Sequence, residues 1–269
     1  MFGKLVTINL DKKDDEVHLE PISDPHFGHI GFKEDLYVER MNAIMKDHNR
    51  FTVFMGDQVD FINPLDKRWQ AGSVTILSKD DQRKYWQRIN QPILDLNTQL
   101  IRDGYNEKIW GLLAGNHEYK VIDQSYITNQ FCDPNGLTYL GSKAMIGLDI
   151  RHKGKTLRRW KIFTQHGSGG GTNPLTALEQ MKVNHIADVY LMGHLHNKLC
   201  KSETVVDFNF AEKGVVYRDI VLGNTGTFCE TYTDGVDGYM DRKNKVVPAK
   251  LGTITVSFDA YKGKIHGHE

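Results

Sequence analysis

Phe51-Thr52-Val53-Phe54-Met55-Gly56-Asp57-Gln58-Val59-Asp60 is an apolar run that stops at a glycine and is followed by two acids three residues apart. A short run of β-branched and aromatic residues closed by glycine reads as a buried strand with a sharp turn at its end. Asp57 and Asp60 then stand where the chain leaves the core. In open α/β sheets that carboxyl end is where ligands gather.

The same punctuation recurs on both sides of this stretch. A strand pattern at residues 17–23 is closed by Asp24-Pro25-His26, and one at 108–114 by Gly115-Asn116-His117-Glu118. A strand pattern at 159–164 runs into His166-Gly167, and one at 187–192 into Gly193-His194-Leu195-His196. Helical patterns at 33–48, 81–103 and 174–184 lie between them, the last with Asn173 as its N-cap, and 144–151 reads as a further strand. This alternation predicts an α/β fold. From residue 198 onward the chain turns β-rich, with alternating segments at 204–210 and 215–222 joined by a turn at Glu212-Lys213-Gly214, and a last strand at 253–258. Two packed sheets flanked by helices accommodate this order. No repeat, low-complexity tract or Pro/Ser-rich linker forces a boundary, so residues 1–269 are expected to form one domain, with a motif core at about 17–197 and a β-rich part at 198–269.

Composition narrows the classes. Of 269 residues, 39% are hydrophobic and 25% charged, and 34 basic side chains balance 34 acidic ones. This is ordinary globular usage, with no global field to recruit nucleic acid or a membrane surface. No apolar run reaches a membrane span and the first residues lack a signal-peptide pattern, so a cytoplasmic protein with no membrane partner is expected. Cys132, Cys200 and Cys229 are scattered without CxxC spacing, which suggests neither a disulfide framework nor a zinc knuckle.

Five strands ending in metal-competent side chains point to one shared site. The ligand candidates are Asp24, His26, Asp57, Asn116, His166, His194 and His196. Asp24/His26 and His194/His196 are i, i+2 pairs, and in extended backbone such side chains point the same way, so each pair could grip one ion. Neighbouring Gly56, Gly115, Gly167 and Gly193 are expected to shape the loops. Two carboxylates, an amide oxygen and four imidazoles favour manganese, iron, zinc or nickel over magnesium or calcium. Seven ligands exceed the needs of one ion but suit two ions sharing a carboxylate at roughly 3.5–4 Å separation, with Asp57 as the candidate bridge.

In order, Asp24-Pro25-His26, Gly56-Asp57-Gln58-Val59-Asp60, Gly115-Asn116-His117-Glu118, His166-Gly167 and Gly193-His194-Leu195-His196 resemble the signature of the calcineurin-like metallophosphoesterases. The resemblance implies a four-layer α/β/β/α sandwich of two mixed sheets, with a dinuclear site at the carboxyl ends of the strands. One ion would take Asp24, His26, Asp57 and His196, and the other Asp57, Asn116, His166 and His194. His117 would stand near the leaving group without binding metal, and Asp60 would orient it. Two positions depart from the protein phosphatases of this family: Phe61 and Tyr119 stand where those enzymes carry phosphate-clamping arginines. The opening block, Ser23 to His29, is closer to nuclease and phosphodiesterase branches.

The expected activity is hydrolysis of a phosphate ester, with a nucleic acid or nucleotide among the candidate substrates, by a phosphodiesterase or nuclease whose nucleophile is a hydroxide shared by two divalent ions, manganese first. A phosphomonoesterase and a non-catalytic binding module are the alternatives; the missing arginines favour the diester, and the complete ligand set opposes the inactive module. Other features count for less. Residues 151–161 read as a solvated hairpin with its turn at Lys153-Gly154, although Trp160 could stack on a base; Ser168 to Thr172 lacks the lysine and spacing of a P-loop; and the terminal His266-Gly267-His268 reads as a frayed tail.

Overall fold

The apolar runs that end in acids and histidines become neighbouring strands. In the computed structural model, which describes residues 2–66, 68–121, 124–168, 173–211, 213–233, 235–236 and 248–269, β2 (Val17–Ile22), β3 (Arg50–Met55) and β4 (Ile109–Leu113) pair in parallel. They therefore deliver their carboxyl ends to one edge. β10 (Thr255–Asp259) and β11 (Lys264–His268) extend this sheet antiparallel beside β2, in the order β11-β10-β2-β3-β4.

The second sheet has the order β1-β5-β6-β7-β9-β8. It comprises β1 (Phe2–Leu10), β5 (Lys143–His152), β6 (Lys155–Gln165), β7 (Val189–Met192), β8 (Leu199–Asn209) and β9 (Gly214–Asn224). β6, β7 and β9 are parallel, while β5 and β8 run antiparallel to their neighbours β6 and β9. Both sheets are thus mixed, as expected.

Alternation along the strands decides what each face meets. Val53 and Met55 of β3 join Val6, Ile8, Leu19, Ile146, Ile162, Leu191 and Val256 in one buried cluster between the sheets. Phe54 points the other way, with Ile22 and Leu112, onto Tyr37, Met41 and Ile44 of α1 (Glu34–Lys46) and Trp86, Ile93 and Leu94 of α2 (Lys79–Arg102). A third cluster packs Leu178 and Met181 of α5 (Pro174–Asn184) on Phe163, Tyr190 and Leu222 of the second sheet. The short α3 (Asn116–Val121) and α4 (Gln124–Ile127) follow β4. Asn173 caps α5 as expected, accepting from Leu175 N, and Ser78 caps α2 by accepting from Asp81 N.

Two strands lie where no element is expected. In β1, Val6, Ile8 and Leu10 face the core in strict alternation and pair the strand with β5. The terminal residues are no frayed tail: Ile265 enters the core and β11 covers the edge of β10. The hairpin at Lys153-Gly154 forms with both residues at positive φ, 50° and 77°, and Trp160 is buried in the core, where it cannot stack on a base. Glu212 of the expected 212–214 turn and Gly169–Thr172 of the glycine-rich loop lie outside the described residues. Among the described residues Cys132, Cys200 and Cys229 form no disulfide. Among the described residues no helix is long and apolar enough to cross a membrane.

Candidate functional site

The ends of β2, β3, β4, β6 and β7 converge, and main-chain bonds lock their loops together. Asp24 N donates to Gly56 O (3.1 Å), His26 N to Asp57 O (3.2 Å) and Gly193 N to His166 O (3.1 Å). The loops approach so closely that a Cβ on Gly115 would lie 2.1 Å from Asp57 Oδ1, and one on Gly193 2.1 Å from Ser23 Oγ. No side chain fits at either position.

The i, i+2 pairs do converge, but not through extended backbone. Asp24 (φ 52°), His26 (53°), Asp57 (47°), His194 (70°) and His196 (53°) all adopt the left-handed region. Each such conformation costs about 1 kcal/mol or more in a non-glycine residue and persists only where surrounding bonds over-determine it. Here they do. Asp24 Oδ2 accepts from His194 N (2.9 Å) and from Ser23 Oγ, and the Asp24 carbonyl accepts from Thr227 Oγ1 (2.6 Å) and Phe228 N (3.4 Å).

Three groups of side chains bring ligand atoms within 4.8 Å of one another: Asp24, His26 and His196; Asp57, His166 and His194; and His26, Asp60 and His117. In the first, His196 Nε2 lies 3.1 Å from both Asp24 Oδ1 and His26 Nε2. In the second, His166 Nε2 is 3.2 Å from Asp57 Oδ2 and 3.2 Å from Asn116 Oδ1. Asp57 Oδ2 also lies 4.0 Å from His26 Nε2, so one carboxylate oxygen faces both groups. All seven sequence-predicted ligand positions are therefore brought together, in groups that could hold a metal ion. The third group uses the other ring nitrogen of His26: Nδ1 is 3.3 Å from Asp60 Oδ1, and neither it nor Asp60 Oδ2 forms a hydrogen bond among the described residues.

Burial sets the protonation. It pushes His26 down to about 4, helped by His196, and His117 also to about 4, so both imidazoles are neutral near pH 7 and offer lone pairs. Burial also acts to lower His166, but Asp57 and Asp24 together outweigh it and raise the group to about 10. Burial would raise the Asp24 carboxyl, yet His166 and His196 hold it at about 2.

His117 and Asp60 meet in an unexpected way. His117 Nδ1 is 2.5 Å from the Asp60 main-chain carbonyl, whereas the Asp60 carboxylate is 3.6 Å away. A carbonyl only accepts, which assigns the ring proton to Nδ1 and leaves Nε2 as an acceptor. The donor it faces is Arg68 Nη1, at 2.8 Å. Sequence reading missed this arginine because residues 63–70 have no periodicity to place them. It also gave no role to Glu118, whose buried carboxylate accepts from the main-chain N–H groups of Asp57 (2.9 Å), Gln58 (2.7 Å) and Gly115 (2.7 Å), and so ties the β3 loop to the β4 loop. Thr227, which anchors Asp24 from the C-terminal part, was likewise missed. Tyr119 is half exposed and Phe61 is buried, and Phe61 N donates to Gln82 Oε1 (2.7 Å). His29 sits in the loop after His26, its Nδ1 accepting from Gly31 N (3.0 Å) with Cys229 Sγ at 3.3 Å, and burial depresses it to about 4.

No family model matches the sequence, and no curated protein matches it. Among solved structures the chain is similar to a conserved uncharacterized protein from Streptococcus pneumoniae TIGR4, described as a predicted phosphoesterase, at 13% identity and a TM-score of 0.34, over 91% of this chain and 84% of that one. It is also similar to the NAD nucleotidase of Haemophilus influenzae at 11% identity and a TM-score of 0.37, over 95% of this chain but 49% of the nucleotidase. At this distance neither likeness assigns a site or an activity to this chain.

Proposed function

We propose that this chain is a metal-dependent hydrolase of phosphate esters with two divalent ions at the strand ends, one held by Asp24, His26, Asp57 and His196 and the other by Asp57, Asn116, His166 and His194. The observation that carries this reading is Asp57 Oδ2, placed 3.2 Å from His166 Nε2 and 4.0 Å from His26 Nε2, where one carboxylate oxygen faces both donor sets. When bound, such ions supply an activated water and neutralise charge on the phosphate; manganese suits the mixed oxygen and nitrogen donors, as do iron, zinc and nickel.

The protein's own residues supply the rest. The strained Asp24, His26, Asp57, His194 and His196 hold their donors in place before any ion arrives, which limits reorganisation. His117, fixed by the Asp60 carbonyl, lies beside the Asp57 edge of the centre, with Nε2 3.9 Å from Asp57 Oδ2, which supports the role near the leaving group that the resemblance implies. Three apolar clusters, one between the sheets and one beneath helices on either side, support a four-layer α/β/β/α reading. Strands from both ends of the chain complete the two sheets, which supports one domain over residues 1–269.

Phe61 and Tyr119 in place of clamping arginines support a phosphodiester, including a nucleic acid or nucleotide, as substrate. Arg68 favours the second reading, a phosphomonoester, because it returns a guanidinium to the site from another loop. Turnover of bis-p-nitrophenyl phosphate against p-nitrophenyl phosphate by manganese-loaded protein tests both. A higher kcat/KM for the diester is the expected result; hydrolysis of neither would sink the proposal.

A further inference from the structure

Arg68 is a cation beside the site that the ligand set does not use and that touches His117 with one Nη1 contact only. Its side chain is 6% exposed although it comes from an irregular loop. The Asp66 carboxylate grips one edge of the guanidinium, Nε to Oδ1 at 3.0 Å and Nη2 to Oδ2 at 2.6 Å, and Nη1 reaches His117 Nε2 at 2.8 Å. A buried charge so placed is costly unless its partners repay it, and Asp66 is held at about 2 chiefly by its hydrogen bond to Arg68. Asp66 therefore holds the Arg68 guanidinium fixed and oriented, unlike a mobile surface arginine.

Counting donors shows what is left. A guanidinium has five N–H groups, and the three contacts above use three, so two remain on the Nη1 and Nη2 nitrogens. Those nitrogens lie next to His117, which itself borders Asp57 and the two donor sets. Planar N–H pairs of this kind match phosphate oxygens, and a rigid donor aimed at the reacting group loses little entropy on binding.

Resting on the hydrolase reading, we infer that Arg68 contacts the substrate: its free Nη donors bind a non-bridging oxygen of the ester phosphate beside His117, taking over the phosphate clamp that Phe61 and Tyr119 cannot provide. Asp66 is then a positioning residue that aims the guanidinium. A dianionic monoester terminus gains more from this contact than a monoanionic diester, so Arg68 sets the balance between the two substrate classes.

Inorganic phosphate is the probe, measured by calorimetry on manganese-loaded protein and as an inhibitor of bis-p-nitrophenyl phosphate hydrolysis, with metal content determined alongside. Arg68→Ala should keep its metal and weaken phosphate binding about ten- to a hundredfold, the worth of one or two charge-assisted hydrogen bonds. It should also lower kcat/KM for p-nitrophenyl phosphate more than for the diester. Arg68→Lys, which keeps the charge but loses the fork, should fall between, and added guanidinium should restore part of the binding to Arg68→Ala. Unchanged phosphate affinity with a lowered kcat would overturn the inference and leave Arg68 acting only through His117. Loss of metal from both variants would also overturn it, making Arg68 a scaffold residue. A wild-type protein that binds phosphate but hydrolyses no ester would sink the hydrolase reading alone, and the binding arm would still decide Arg68.

Discussion

Five of the seven ligand candidates are non-glycine residues at positive φ, and Asp24 is held both from within the motifs, by Ser23, Gly56 and His194, and from outside them, by Thr227 and the Phe228 main chain. The donors are thus aimed by backbone strain and not by the pleat of a strand. His117 stands apart from this set. Its ring is held by the Asp60 carbonyl and faces Arg68, so His117→Ala is expected to keep both metals while lowering turnover by roughly a hundred- to ten-thousandfold. With His117 beside the leaving oxygen, an activated nitrophenolate ester is expected to suffer less than an alkyl ester. Elemental analysis alongside the two rates checks this, and an emptied metal site or equal losses would contradict it.

A single buried carboxylate joins two of the loops that carry the site. Glu118 collects N–H groups from the β3 and β4 loops, and in Glu118→Gln one face of the side chain becomes an NH₂ that cannot accept them. That substitution should cost about 1–3 kcal/mol in chemical denaturation and reduce metal uptake, whereas full uptake in an equally stable protein would show that the loops hold without it. On the far face Glu203 of β8 ties to Lys182 of α5 and to Lys201, at 2.7 and 2.5 Å. The hydrogen bond from Lys182, then that from Lys201, depresses Glu203 from its ordinary 4.5 to about 2. A depressed acid contributes its stability above its unfolded pKa and loses it as the pH falls through the folded one. Because Lys201 is 45% exposed, screening limits the effect to about 1 kcal/mol. Glu203→Gln should therefore be less stable than the parent near neutral pH, with the gap closing between pH 4.5 and 2; a gap independent of pH would contradict the ion-pair account.

Across the molecule, the parts legible in the sequence are those with strong local signals. Runs such as Phe51–Met55 that end in Gly-Asp place both the parallel strands and their ligands, since period, turn residue and chemistry coincide there. β1 carried a signal too, in the alternation of Val6, Ile8 and Leu10, whereas β11 has only Ile265 to mark it and depends on pairing with β10 across a turn. The site's supporting groups were hidden for a different reason. Arg68 and Thr227 sit in irregular segments whose place is set by tertiary contacts, with no local pattern to reveal it, and the left-handed backbone at Asp24 or His196 is marked only by Asp and His tolerating that region better than most residues. The proposed hydrolase requires Asp57 to join two metal sites into one centre. Chelator-stripped protein titrated with manganese, while hydrolysis of bis-p-nitrophenyl phosphate is followed, tests it most directly. Activity should be absent at the start and saturate at about two equivalents per chain, and in Asp57→Asn both equivalents should be weakened together. Full activity in the stripped protein, or saturation at a single equivalent, would contradict it.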